Sequence, residues 1–98
     1  MDNIMNKITA IIVTFNPDLT IFGEILERIA SQVDSVLLVD NASDNAALLS
    51  KTIMLRENVS PVFLDDNIGL AAAQNLAISK IIDKTNFIIL FDQDSLIA

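Results

Sequence analysis

Phe87-Ile88-Ile89-Leu90-Phe91-Asp92-Gln93-Asp94-Ser95 joins an unbroken apolar run to a polar tetrad. A run of this length without alternation reads as a strand buried on both faces, the signature of a parallel sheet packed between helices. The abrupt change to carboxylates and an amide marks a carboxyl end, where parallel sheets gather their ligand-binding loops. The same pattern recurs upstream, so strands are expected at residues 8–14, 35–40, 61–64 and 86–91. Helical periodicity fills the intervals at residues 19–32, 44–56 and 70–84. In the first, Phe22, Ile25, Leu26, Ile29 and Val33 share one face, with Asp18 as the N-cap. The second has a weaker stripe through Leu49 and Ile53, capped by Ser43 or Asp44. The third sets Ala73, Ala77 and Ile81 on one face beside Leu70, Ile78 and Ile82, and its alanines suit close packing on a sheet. Strand–helix alternation at this spacing predicts right-handed βαβ units in a Rossmann-like α/β fold, a parallel sheet of about four strands with helices on both faces.

Composition narrows the function. The chain has 98 residues, 52% of them apolar and 19% charged, which excludes intrinsic disorder and fits a single domain over residues 1–98. The net charge of −7 argues against a nucleic-acid partner and an anionic membrane surface. With neither cysteine nor histidine there is no thiolate, no disulfide and no imidazole base. Any chemistry must run on carboxylates, amides, hydroxyls or a bound metal. No segment approaches the roughly 18–20 apolar residues of a membrane-spanning helix. The start, Met1-Asp2-Asn3-Ile4-Met5-Asn6-Lys7, does not read as a signal peptide. The expected location is cytoplasmic, with no transmembrane segment.

The polar residues collect where a parallel sheet would use them. The four expected strands run into Thr14-Phe15-Asn16-Pro17-Asp18, Asp40-Asn41-Ala42-Ser43-Asp44, Asp65-Asp66-Asn67-Ile68-Gly69 and Asp92-Gln93-Asp94-Ser95. Asp, Asn and Ser are ordinary turn and cap residues, so one such loop means little. Four on one rim point to a site. Asp92 and Asp94 would bring two hard oxygen donors to one point, suited to Mg²⁺ or Mn²⁺. A divalent cation would also let an acidic rim hold a diphosphate that it otherwise repels. Dinucleotide and P-loop glycine motifs are absent, the 40–44 loop lacks the ligands and glycine of a calcium loop, and a Ser-His-Asp triad needs a histidine.

Taken in order, Ile11-Ile12-Val13-Thr14-Phe15-Asn16, Leu38-Val39-Asp40-Asn41-Ala42-Ser43, Asn67-Ile68-Gly69-Leu70-Ala71-Ala72-Ala73-Gln74-Asn75 and Leu90-Phe91-Asp92-Gln93-Asp94-Ser95 resemble the family-2 glycosyltransferases of the GT-A fold. The Phe-Asp-Gln-Asp-Ser and Ala-Gln-Asn forms look most like the bacterial rhamnosyltransferase branch. The resemblance covers essentially the whole chain and implies the N-terminal, nucleotide-binding half of a GT-A fold with strand order 3-2-1-4. It implies nucleotide-binding roles for Thr14, Asn16, Asp40, Asn67, Gly69, Asn75 and Asp92. Asp40 would accept the imide N–H of a pyrimidine, Gly69 would let the nucleoside approach the backbone, and Asp92 and Asp94 would form the Mg²⁺ or Mn²⁺ site. Other readings stay open. Gly69 also reads as the turn before the third helix, Asn75 as a helix-surface residue, Thr14 as a strand end, and Asp65 and Asp66 as solvated turn residues.

The family's acceptor-binding half and its catalytic base, an acidic residue further on, are expected beyond Asp94, so no catalytic residue is assigned and the chain reads as part of a longer transferase. The resemblance implies a dTDP- or UDP-sugar donor, a saccharide or lipid-linked saccharide acceptor, and inverting transfer, with dTDP-rhamnose and a surface polysaccharide as the leading pair. The longer enzyme could work at the inner face of the cytoplasmic membrane. Two rivals stand beside this: a haloacid-dehalogenase-like phosphatase, in which an apolar strand also precedes Asp-x-Asp-x-Ser, and a non-catalytic nucleotide-binding module. A receiver-type domain needs acids after the first strand, and Thr14-Phe15-Asn16 supplies none. In the implied strand order residues 86–91 form an edge, apolar on both faces, so self-association is expected unless residues 96–98 fold back over it.

Overall fold

A computed structural model describes residues 7–94 of the chain. Ser95 of the fourth loop and residues 96–98 lie outside the described residues, and with them the expectation that the tail covers the edge strand. The elements run β1 (Ile8–Thr14), α1 (Leu19–Ala30), β2 (Ser35–Asp40), α2 (Ala46–Met54), β3 (Val59–Phe63), α3 (Leu70–Ile81) and β4 (Phe87–Asp92). Every strand pairing is parallel and the order is β3-β2-β1-β4. This is the α/β arrangement and strand order that the resemblance implies. No helix among the described residues is long and apolar enough to cross a membrane.

Strand pleating sorts the apolar residues onto two faces. Ala10, Ile12, Val36 and Leu38 point to one side, where Phe22, Ile25, Leu26 and Ile29 of α1 and Leu49 and Ile53 of α2 complete a core. Ile11, Val13, Leu37 and Val39 point to the other and meet Ala73 and Ala77 of α3. Each fully buried Ile or Leu in these layers is worth about 1.5–3 kcal/mol. The alanines of α3 let its backbone approach β1 and β2.

Burial on both faces holds for β1 and β2 but not for the outer strands, where the sequence reading is corrected. Phe87 is 55% and Leu90 48% exposed on β4, and Ser60, Pro61 and Phe63 of β3 are also exposed. Among the described residues each outer strand has a sheet neighbour on one side only, and α3 lies over the central pair rather than over β4. β3 also begins at Val59, two residues earlier than Pro61, because Val59 pairs with Val36. Pro61 is tolerated there because an edge strand can lack one N–H donor.

Local chemistry sets the helix ends. Asp18 caps α1, accepting from the Thr20 N–H at 3.1 Å and the Thr20 hydroxyl at 2.6 Å. Neither Ser43 nor Asp44 caps α2. The Ser43 hydroxyl and N–H both turn back onto Asp40, the Asp44 N–H goes to Asn16, and the helix starts after Asn45. All three helices end two or three residues before the expected positions. Tight turns close them, from the Gln32 N–H to Ile29, the Arg56 N–H to Ile53 and the Lys84 N–H to Ile81.

Candidate functional site

The four carboxyl-end loops lie on one rim because the sheet is wholly parallel. Two of them are stitched together beneath the surface. Thr14 and Asp40, the last residues of paired strands, follow Ile12 and Leu38 in the pleat and turn to the α1/α2 side. Asp40 is 1% exposed. Its Oδ1 accepts the Thr14 hydroxyl at 2.7 Å and the Ser43 hydroxyl at 2.5 Å, and its Oδ2 accepts the Ser43 N–H at 3.0 Å. A buried carboxylate needs such donors, and these bonds satisfy both oxygens. To bring Ser43 back within reach, the chain reverses through Ala42 at φ 62. Asn16, at φ 46, then locks the neighbouring loop. Its N–H donates to Ser43 Oγ at 2.7 Å and its Oδ1 accepts the Asp44 N–H at 2.7 Å. Asp40 is thus covered by its own loop and does not line the cleft on the α3 side of the rim.

On the α3 side of the same rim opens a cleft of about 380 Å³, lined by Val13, Phe15, Asn41, Leu70, Asp92, Gln93 and Asp94. Asp92 is paired in register with Val13 and so shares its side of the sheet. Asp92 and Asp94 are exposed carboxylates, whereas Phe15 offers an aromatic ring that is 47% exposed. The cleft therefore joins charge to apolar wall. A smaller hollow of about 160 Å³, bounded by Asp18, Ile21, Phe22, Ile25, Gln93 and Asp94, lies against α1.

The β3–α3 loop forms the far side. Asn67 Oδ1 accepts the Gly69 N–H at 2.8 Å, a short turn that leads into α3. Gly69 takes φ 86 and ψ 164, a region open essentially to glycine alone, and nothing lies within 4 Å of where a Cβ would stand. The glycine thus serves the backbone path and leaves open space above it. Asn41 ties this loop to β2, since its Oδ1 accepts the Ile68 N–H at 3.0 Å and its Nδ2 donates to the Gly69 carbonyl at 3.1 Å. Asn75 is an exposed residue of α3 outside the cleft lining, and Asp65 and Asp66 are exposed turn residues.

Among the described residues no group of three or more His, Cys, Asp or Glu could hold a metal ion. Asp92 and Asp94 line one cleft and are hard oxygen donors, the ligand type that Mg²⁺ and Mn²⁺ take alongside water and phosphate oxygens. At the adjoining N-terminus of α1, the hydrogen bonds from the Thr20 side chain and then its backbone hold the Asp18 carboxyl below its ordinary value of 3.8.

The structure brings Asp92 and Asp94 into one cleft, places Asn67 and Gly69 in the loop beside it, and sets Thr14 and Asp40 under it. Phe15, Asn41 and Gln93 line the cleft without having been singled out from the sequence. A large apolar residue just past a strand end was the available signal for Phe15. Asn41 gave none, because side-chain direction at a turn depends on the left-handed residue that follows.

The family model described as Glycosyl transferase family 2 matches residues 9–98. The dTDP-rhamnosyl transferase RfbF of Shigella flexneri is 38% identical over 91 residues, which cover 92% of this chain and 30% of that protein. The chain thus spans about three-tenths of the length of the curated relative it matches.

Proposed function

The chain belongs to glycosyl transferase family 2, and on that premise we propose that residues 1–98 form the nucleotide-sugar-binding domain of an enzyme that transfers a sugar to a saccharide or lipid-linked saccharide acceptor. One observation carries the reading: a single cleft combines the carboxylates of Asp92 and Asp94 with the apolar surfaces of Phe15, Val13 and Leu70. A nucleoside diphosphate has the same two-part character, a flat base and a charged tail. The name of the Shigella relative makes dTDP-rhamnose the leading donor, with a UDP-sugar as the alternative and a surface polysaccharide as the destination.

Mg²⁺ or Mn²⁺, held by Asp92 and Asp94, would supply Lewis-acid stabilisation of the departing diphosphate. Phe15, Val13 and Leu70 exclude water from the base and ribose. Gly69, held by Asn67, leaves room for the nucleoside against the backbone. Thr14, Asp40 and Asn16 hold two of the loops in register from beneath, and Asn75, exposed on α3 outside the cleft lining, is given no contact with the nucleotide. Transfer proceeds with inversion, by attack of an acceptor hydroxyl whose proton goes to an acidic residue outside this chain. No described residue is assigned as that base. Family membership removes the basis for the phosphatase alternative.

The test is titration of the 98-residue chain with UDP and dTDP, in Mn²⁺ and in EDTA, by NMR or calorimetry. Binding on the order of millimolar is expected, tighter with the metal, with the gain lost in Asp94→Ala. Equal binding in both conditions would overturn the metal role. The 98-residue chain tested by itself should yield no rhamnosylated product from dTDP-rhamnose, since no described residue is proposed to position the acceptor or take its proton. Self-association through β4 is part of the same proposal, because Phe87, Ile89 and Leu90 are exposed on a strand that, among the described residues, pairs with β1 alone. Light scattering over a concentration series, with Ile89→Lys as the disrupting variant, decides it.

A further inference from the structure

We infer that Gln93 is a positioning residue for the diphosphate end of the cleft, rather than a spacer between two aspartates; the inference rests on the nucleoside-diphosphate reading above. The sheet ladders stop at Val13 opposite Asp92 on one side of β1 and at Thr14 opposite Asp40 on the other. Phe15 lies past both. Its N–H donates to Gln93 Oε1 at 2.8 Å, and its carbonyl accepts from Gln93 Nε2 at 3.2 Å. One side-chain amide thus offers Phe15 the donor and acceptor that a neighbouring strand would offer. The rim stays closed one step beyond the last backbone pair.

The location gives this closure a consequence. Phe15 stands on the cleft wall with Asp92 and Asp94, the residues on either side of Gln93. The bonds to Phe15 therefore set the gap between the aromatic wall and the two carboxylates. Gln93 also borders the hollow against α1, and with Asp94 it stands between the two spaces. On the far side Asn41 braces the Ile68–Gly69 backbone with the same pair of bonds. A neutral amide suits the place on charge as well. It satisfies both backbone groups of Phe15 without adding a third negative charge between Asp92 and Asp94.

The test compares wild type, Gln93→Met and Asp94→Ala of the 98-residue chain, each titrated with UDP and dTDP in Mn²⁺ and in EDTA. The readout is the ratio of the two dissociation constants. Methionine keeps the length and loses both bonds, and the ratio should fall roughly tenfold, the size typical of residues that orient metal ligands. A merely structural role would weaken both titrations alike and leave the ratio unchanged, which would overturn the inference while the nucleotide reading stands. A wild-type chain that binds neither UDP nor dTDP would overturn the nucleotide reading, and one that binds them equally in Mn²⁺ and EDTA would overturn the metal role; this inference falls with either. Hydrogen exchange of the wild-type Phe15 N–H provides a check that needs no variant to fold. Strong protection supports the clamp, and exchange as fast as a solvent-exposed amide overturns it.

Discussion

The Thr14 hydroxyl donates to Asp40 Oδ1 at 2.7 Å, joining the ends of β1 and β2 out of contact with water. With the two bonds from Ser43, it makes one buried carboxylate the tie between two rim loops. Removing it would leave two hydroxyls and an N–H buried without an acceptor. Asp40→Ala should therefore cost about 3 kcal/mol in urea unfolding, and Asp40→Asn, which keeps one acceptor oxygen, about 1–2 kcal/mol. An Asp40→Ala variant as stable as wild type would contradict this role.

Two positive-φ residues on the rim should respond in opposite directions. Gly69→Ala places a side chain at φ 86 and ψ 164 and should cost about 1–3 kcal/mol through backbone strain alone, since the added carbon meets no neighbour. Ala42→Gly relieves about 1–2 kcal/mol of left-handed strain. It gives back about 0.5–1 kcal/mol through the freer unfolded chain. The net should be a stabilisation of about 1 kcal/mol or less, read as a higher urea midpoint at unchanged slope.

Asp18 gives the fold a defined acid response. Its carboxyl titrates below 3.8 in the folded chain because Thr20 donates to the ionised form. The cap's contribution is therefore fully present above pH 3.8 and is lost as pH falls through the lowered folded value. Asp18→Asn retains a capping oxygen without the titration. The difference in stability between wild type and this variant should shrink on acidification below pH 3.8. A difference that stays constant through that range would remove the assignment.

Chemically identical deletions should separate the middle of the sheet from its edge. Leu38 is fully buried within β2, paired on both sides, whereas Leu90 on β4 is half-exposed. Leu38→Ala should cost about 2–5 kcal/mol, through lost burial and the cavity left behind. Leu90→Ala should cost about 1 kcal/mol, because much of the side chain is already in water. Guanidinium unfolding of the two variants gives the comparison directly.

Much of the fold was legible in the residues because burial imposes a period. β1 and β2 run from Ile8 to Thr14 and from Ser35 to Asp40, as their apolar runs predict, and Phe22, Ile25, Leu26 and Ile29 of α1 are buried as their spacing predicts. Parallel topology then puts the polar strand ends on one rim, so the placing of Asp92 and Asp94 at a rim was legible in the sequence. Only the tertiary structure decided which polar side chains face the cleft. Asp40 and Asn41 are adjacent, yet pleating sends Asp40 under the loops, and the left-handed turn at Ala42 leaves Asn41 on the cleft wall. The exposure of β4 was settled in the same way. Its residues are as apolar as those of β1, but side-chain burial depends on which helix lies over a strand, and α3 lies over β1 and β2. The pairing of Gln93 with Phe15 had no sequence signal, since it joins residues far apart in the chain and arises only where two parallel strands end one step out of register.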